Sequence, residues 1–276
     1  MLHIIEHSLL DSLKLVPFLF LTYLSMECLE HKAGAKVQKI IGKAGKWGPI
    51  AGGILGAVPQ CGFSAAASNL YAGRVITLGT LLAVFLSTSD EMLPILISEK
   101  VEPVLIFKIL LLKVVIGMVA GFVIDLTMGR KREQEHSHIH EMCEQENCHC
   151  EEGIVRSAVN HTLRITFFIL LVTLLLNIAL HFGGEDVITG LLRDRPIIGP
   201  IVAGLVGLIP NCASSVVITQ LYLQGAMSFG TMMAGLLVGA GVGVLVLCRV
   251  NHAKKENLKI IGILYGIGVV AGMVIG

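Results

Sequence analysis

The chain alternates long apolar runs with short polar breaks. Runs close to the 20 or so residues that cross a bilayer as a helix begin near Leu13, Pro49, Val75, Val104, Thr162, Pro196, Phe229 and Leu258. Each predicts a helix, and together they leave no room for an extramembrane domain. The pattern therefore predicts an all-α, polytopic membrane bundle. Some runs are interrupted. Proline removes a backbone donor and restricts the residue before it. Pro59 and Pro210 thus predict helix breaks, with Gln60 and Asn211 placed to cap the next helix and Cys61 and Cys212 in its first turn. The run from Val75 to Leu86 rises only about 18 Å, short of a hydrocarbon core of roughly 30 Å. It stops at Ser87-Thr88-Ser89-Asp90-Glu91.

The breaks belong to a duplication. Gly56-Ala57-Val58-Pro59-Gln60-Cys61-Gly62-Phe63-Ser64 returns as Gly207-Leu208-Ile209-Pro210-Asn211-Cys212-Ala213-Ser214-Ser215. At an offset of 151, residues 48–80 align on 199–231 with 12 identities in 33 positions, and 107–124 on 258–275 with 9 in 18, too many for a compositional echo. The Ser87–Glu91 run finds only Val238-Gly239-Ala240-Gly241-Val242 opposite it, so it reads as a feature without a counterpart. The chain divides into a first membrane repeat (1–129), a polar linker (130–158) and a second repeat (159–276).

Charge orients the halves. The loop after Leu29 carries Lys32, Lys36, Lys39, Lys43 and Lys46 ahead of Trp47, an interface anchor, whereas the matching 182–196 loop is weakly acidic. The loop at Glu99, Lys100 and Glu102 is weakly acidic, and its match holds Arg249, Lys254, Lys255 and Lys259. Opposite positive-inside signals at matching loops predict inverted halves with an odd number of crossings each. A parallel, even-crossing duplication is the competing reading. Residues 48–98 then make one or three passes, as a re-entrant hairpin or as several short helices.

Composition agrees: 54% of residues are hydrophobic, 15% are charged, and mean hydropathy is +0.78. A net charge of +1 points to neither nucleic acid nor an acidic partner. The seven cysteines show no disulfide framework, so reduced thiols are expected. The first run follows His3, Glu6, His7, Asp11 and Lys14 and reads as a mature helix, not a signal peptide. Phosphate-binding loops and nucleophile elbows are absent, which argues against ATP-driven pumping. No acid, base and nucleophile set suggests an enzyme.

The candidate substrate site gathers Pro59, Gln60, Cys61, Ser64 and Asn69 from one half and Pro210, Asn211, Cys212, Ser214 and Ser215 from the other. Discontinuous helices offer free N–H groups at mid-membrane, and a helix N-terminus favours the thiolate, a soft ligand. Against this stands a plain proline kink with a buried cysteine. Ser68, Thr219 and Gln220 flank the breaks, though hydroxyls in membrane helices commonly bond back to their own helix. Ser87, Ser89, Asp90 and Glu91 are candidate coupling residues, because carboxylates within the membrane serve as proton carriers or cation ligands; a solvated turn is the alternative. Glu27, matched by Asn177, is a weaker candidate. In the linker, His136, His138, His140, Cys143, Cys148, His149 and Cys150 suit transition-metal binding, as a loose chelating tail rather than a zinc module.

Through these motifs, with Ser87-Thr88-Ser89-Asp90-Glu91-Met92-Leu93-Pro94 and the His/Cys linker, the chain resembles the family of ten-transmembrane heavy-metal exporters, also described as arsenic-efflux-like permeases or manganese transporters. The resemblance covers nearly the whole chain and implies five membrane segments per half. The expected function is a secondary transporter for a small ionic or metalloid cargo, such as arsenite, in a prokaryotic plasma membrane with the linker in the cytoplasm. Proton coupling would run through Asp90 or Glu91. An organic-anion transporter using the same site, and a channel or metal sensor working through the linker, are the alternatives.

Overall fold

The computed structural model describes residues 47–59, 61–90, 92–128, 197–210 and 212–276, with scattered helical positions between 16 and 24 and between 155 and 174. Glu27, Gln60, Glu91, Asn177, Asn211, the side chains of Cys61 and Cys212, and the linker ligands from His136 to Cys150 lie outside the described residues. Within them every regular element is helical: α1 (Gly48–Gly56), α2 (Cys61–Ala72), α3 (Leu78–Ser87), α4 (Met92–Ser98), α5 (Pro103–Met128), α6 (Ile198–Gly207), α7 (Cys212–Leu223), α8 (Phe229–Val238), α9 (Val242–Val250) and α10 (Lys254–Ile275). The chain is a polytopic helical membrane protein.

The offset of 151 reaches down to single turns. Thr77 caps α3 by accepting from Thr80 N, and Ser228 caps α8 by accepting from Thr231 N. Before each cap, α2 and α7 close with the same paired hydrogen bonds: Val75 N to Leu70 O and Arg74 N to Tyr71 O, Ala226 N to Leu221 O and Gly225 N to Tyr222 O. The residue in the left-handed region is Gly225 in one half (φ 70) and Arg74 in the other (φ 58).

Close approaches at small residues fix the helix directions, as expected where lipid supplies no hydrophobic drive between helices. A Cβ on Gly48 would meet Thr80, and one on Gly56 would meet Val84 and Ser87, so α1 runs parallel to α3. Gly79 lies against Asp125 and Gly121 while Gly117 lies against Ala83, so α3 and α5 are antiparallel. The second half repeats both relations, through Gly199 with Thr231, Gly207 with Gly235, Gly272 with Gly230 and Gly268 with Val238. Since α1 and α3 are parallel and joined through α2, α2 must run back. With helical rises of about 13 Å and 18 Å, α1 and α2 form a hairpin too short to cross, its tip at residues 57–59. Residues 208–210 lie in the matching tip between α6 and α7.

Helices α3 and α4 together make one interrupted span, Leu78–Ser98, and α8 and α9 another, Phe229–Val250. These two are the core, 76% and 83% buried, whereas α5 and α10 are 28% buried and form the periphery. Helix α5 shows why. Ile109, Lys113, Gly117 and Gly121 recur every four residues on the buried side, and Leu111, Val115, Val119 and Val123 form an exposed apolar stripe for lipid.

The interrupted spans run in opposite directions. Helix α2 packs along α9: Ser68 donates to Gly243 O (2.7 Å) near the start of α9, and Ala65 clusters with Val242, Val246 and Val250. Just past both helix ends, Arg74 holds Glu256 with two hydrogen bonds (3.0 and 3.2 Å), and the Tyr71 hydroxyl donates to the same carboxylate. The start of the first span and the end of the second therefore share one face of the bundle. Arg74 also lies 5.4 Å from the Tyr71 ring centroid. Hydrogen bonding to Glu256, aided by its charge, raises the Arg74 guanidinium pKa against the opposing effect of burial.

Candidate functional site

Both interrupted spans lose helical hydrogen bonds near their midpoints, and a buried backbone group there needs another partner. In the first, the lost partners are supplied by hydroxyls. Ser87 donates to Ala83 O (2.8 Å) and Val84 O (3.1 Å), and Thr88 donates to Val84 O (2.8 Å). Ser89 reaches outward, donating to Ala57 O (2.6 Å) in the hairpin tip, which fastens tip to break. Of the coupling candidates, Ser87 and Ser89 thus hold backbone in place, while Asp90 is buried at the end of the break.

The second break uses no hydroxyls. It falls at Gly239–Gly241, opposite Ser87–Glu91, so the polar run does have a counterpart in the second half. Glycine and alanine reach the same interruption by backbone conformation: Gly239 has ψ 84 and Gly241 lies at φ 54, in the left-handed region that glycine enters at little cost. The second tip abuts this break, because a Cβ on Gly207 would come within 3.1 Å of the Gly235 carbonyl carbon and 3.3 Å of Gly239 N.

The two breaks also touch each other. The Asp90 carboxylate lies against the Cα of Gly241, where no side chain would fit. Ser64, two residues beyond the first tip's proline motif, lies against Gly243, with the Phe85 ring beside it. First tip, first break, second break and second tip are therefore contiguous. Around this junction Ser64, Ser68, Asn69, Ser214, Ser215 and Thr219 are all buried. Their hydroxyls bond largely to carbonyls: Ser68 to Ser64 O (2.9 Å) as well as Gly243 O, Thr219 to Ser215 O (2.7 Å) and Ser214 to Ile209 O (3.4 Å). Pro59 and Pro210 sit in the two tips, and α2 and α7 begin at Cys61 and Cys212, so both cysteines fall in a first turn.

One residue at the junction escaped the sequence reading. Lys113 is 1% exposed, in the interior half of an unbroken span, and its ammonium donates to Leu236 O in the last turn of α8. The Asp90 charge acts on it. Spacing contained a usable signal, because Lys113 shares its helix face with Gly117 and Gly121, the small residues that mark a packed side.

Among the described residues no group of three or more His, Cys, Asp and Glu side chains is assembled for a metal. At the junction the described residues bring together backbone at opposed helix ends and two buried side chains of opposite charge, Asp90 and Lys113.

A family model described as "Putative, 10TM heavy-metal exporter" (ArsP_2) matches residues 2–187 and, in a second overlapping match, 152–276. A search of curated proteins finds no match, and neither does one of solved structures.

Proposed function

The chain belongs to the ArsP_2 family of heavy-metal exporters, and from that premise we propose that it is a secondary-active efflux permease moving a heavy metal or metalloid by alternating access through the junction of the two breaks. Membership in a transporter family points away from an enzyme. The observation that carries the reading is the contiguity of two proline-tipped hairpins with two interrupted, oppositely directed spans, the arrangement that inverted-repeat transporters use to place substrate at mid-membrane. The family's ten segments fit five per half: the apolar run beginning near Leu13 or Thr162, two hairpin arms, one interrupted span and one unbroken span. The arms return to the face they leave, so three crossings remain. An odd number makes the halves inverted.

Charge supports an orientation. Arg74, His252, Lys254 and Lys255 lie at the Arg74 face, α5 ends there just before Arg130-Lys131-Arg132, and the Lys32–Lys46 loop leads into α1, which starts there. The positive-inside rule puts this face, and linker 130–158 after it, in the cytoplasm of a prokaryotic cell. In the working site Gln60, Cys61, Asn211 and Cys212 contact cargo, with Pro59, Ser64, Asn69, Pro210, Ser214 and Ser215 shaping it, and Asp90 with Glu91 serves proton coupling. A buried carboxylate at the break disfavours an organic anion.

The test is expression in cells sensitive to metals and metalloids. The wild type should confer resistance, and Cys61→Ser with Cys212→Ser should abolish it. Full resistance in the double variant would remove the thiols from the site, and no resistance to any metal or metalloid in the wild type would contradict export.

A further inference from the structure

Asp90 and Lys113 are the charged side chains that are buried among the described residues. Neither is repeated: Gly241 stands where a second Asp90 would be, and Leu264, fully buried, stands in place of a second Lys113. A leucine fills the equivalent position in the other half, so packing alone does not call for an amine. The ammonium needs an electrostatic reason.

Both charges address the second break. The carbonyl end of α8 carries partial negative charge, and Lys113 places its ammonium there, on Leu236 O. The amino end of α9 carries partial positive charge, and Asp90 places its carboxylate there, against Gly241. Each helix end is thus met by a fixed charge of opposite sign, and the Asp90 charge acts on the Lys113 ammonium. In transporters with interrupted helices, unwound carbonyls and half-helix C-termini are the places where a cation is coordinated. Here that place is already taken by a cation the protein carries itself. No other charged group faces it from α1, α3 or α8, which contain none; Glu91, next to Asp90, lies outside the described residues.

We propose that Lys113 is a specificity-determining residue: its tethered ammonium fills the cation position beside Asp90 and Leu236 O, so the cargo enters as an uncharged species, such as a soft-metal or metalloid hydroxide, and not as a free metal ion. This rests on the transport reading above. A free cation would have to displace an ammonium that cannot leave. An anion would meet Asp90. A neutral hydroxide meets neither penalty and keeps access to the backbone ends.

The test uses the full chain in proteoliposomes, with arsenite as the uncharged probe, zinc(II) and manganese(II) as cations and arsenate as the anion. The wild type should move arsenite at least tenfold faster than either cation or arsenate. Lys113→Met, which leaves the carboxylate as a net negative charge, should raise the cation-to-arsenite ratio tenfold or more; Lys113→Arg should keep the wild-type ratio; the neutral double variant Asp90→Asn with Lys113→Met should lose the gained cation flux. A wild type that prefers a free cation or arsenate, or a Lys113→Met ratio equal to wild type, would overturn the inference while leaving transport intact. The wild-type ratio decides even if Lys113→Met cannot be recovered folded. A wild type that moves none of the probes would sink the transport reading and this one with it.

Discussion

Arg74 occupies a backbone position that its repeat partner gives to glycine, and the choice has a measurable consequence. At φ 58 a side chain costs about 1 kcal/mol relative to Gly. Against that cost Arg74 gains a two-pronged ion pair with Glu256 and a stacking contact with Tyr71. The two side chains are 25% and 11% exposed, so solvent screens part of the attraction. Paired, charge-assisted geometry in a half-buried site places the coupling at about 1–2 kcal/mol. Arg74→Ala loses the pair and keeps the strained backbone, whereas Arg74→Gly loses the pair and relieves the strain. The glycine variant should therefore be the more stable of the two by about 1 kcal/mol, although it removes more atoms. A double-mutant cycle with Glu256→Ala, read by equilibrium unfolding in mixed micelles, should return the coupling. Since the Arg74 pKa is raised, the guanidinium's share of that coupling is present at every pH below the ordinary arginine value and is lost only above it. Equal stability of Arg74→Ala and Arg74→Gly, together with strict additivity of Arg74→Ala and Glu256→Ala, would refute the contact between the halves and with it the shared face that makes the spans antiparallel.

Ser68→Ala removes a buried hydrogen bond to Gly243 O across the halves and should cost about 1 kcal/mol, measured in the same assay. Gly268→Val puts branched carbon against Val238 and within reach of Ala234 O (3.3 Å) and should destabilise by about 1–3 kcal/mol, seen as a lowered midpoint of thermal unfolding in detergent. Asp90→Asn should abolish dependence of export on a pH gradient, tested by flux with and without that gradient; unchanged dependence would free Asp90 from coupling. Deleting residues 133–152 should leave flux in place and change only its response to metal, whereas loss of all activity would make the linker the working part.

The duplication, the proline tips and the membrane class were legible in the sequence because each rests on identity or hydropathy, which survive without geometry. The Gly239–Gly241 break was not, since a Gly-Ala-Gly interruption inside an apolar run carries no polar mark; only its left-handed glycine at φ 54 shows it. The hairpin arms were legible as a choice between one and three passes, and what decides is the parallel packing of α1 on α3, a relation between distant residues. Lys113 was hidden by the strong hydropathy around it. Loop charge points to opposed halves, because the positive-inside signal is written in residues that stay at the faces.

Flux through the reconstituted protein bears most directly on the central claim. Purified wild type in proteoliposomes, offered metals, metalloids and organic anions with and without an imposed pH gradient, should move a heavy metal or metalloid in preference to organic anions and should respond to the gradient. Organic-anion flux without metal or metalloid flux, or a rate that does not saturate with cargo as a channel's would not, would contradict an alternating-access heavy-metal exporter.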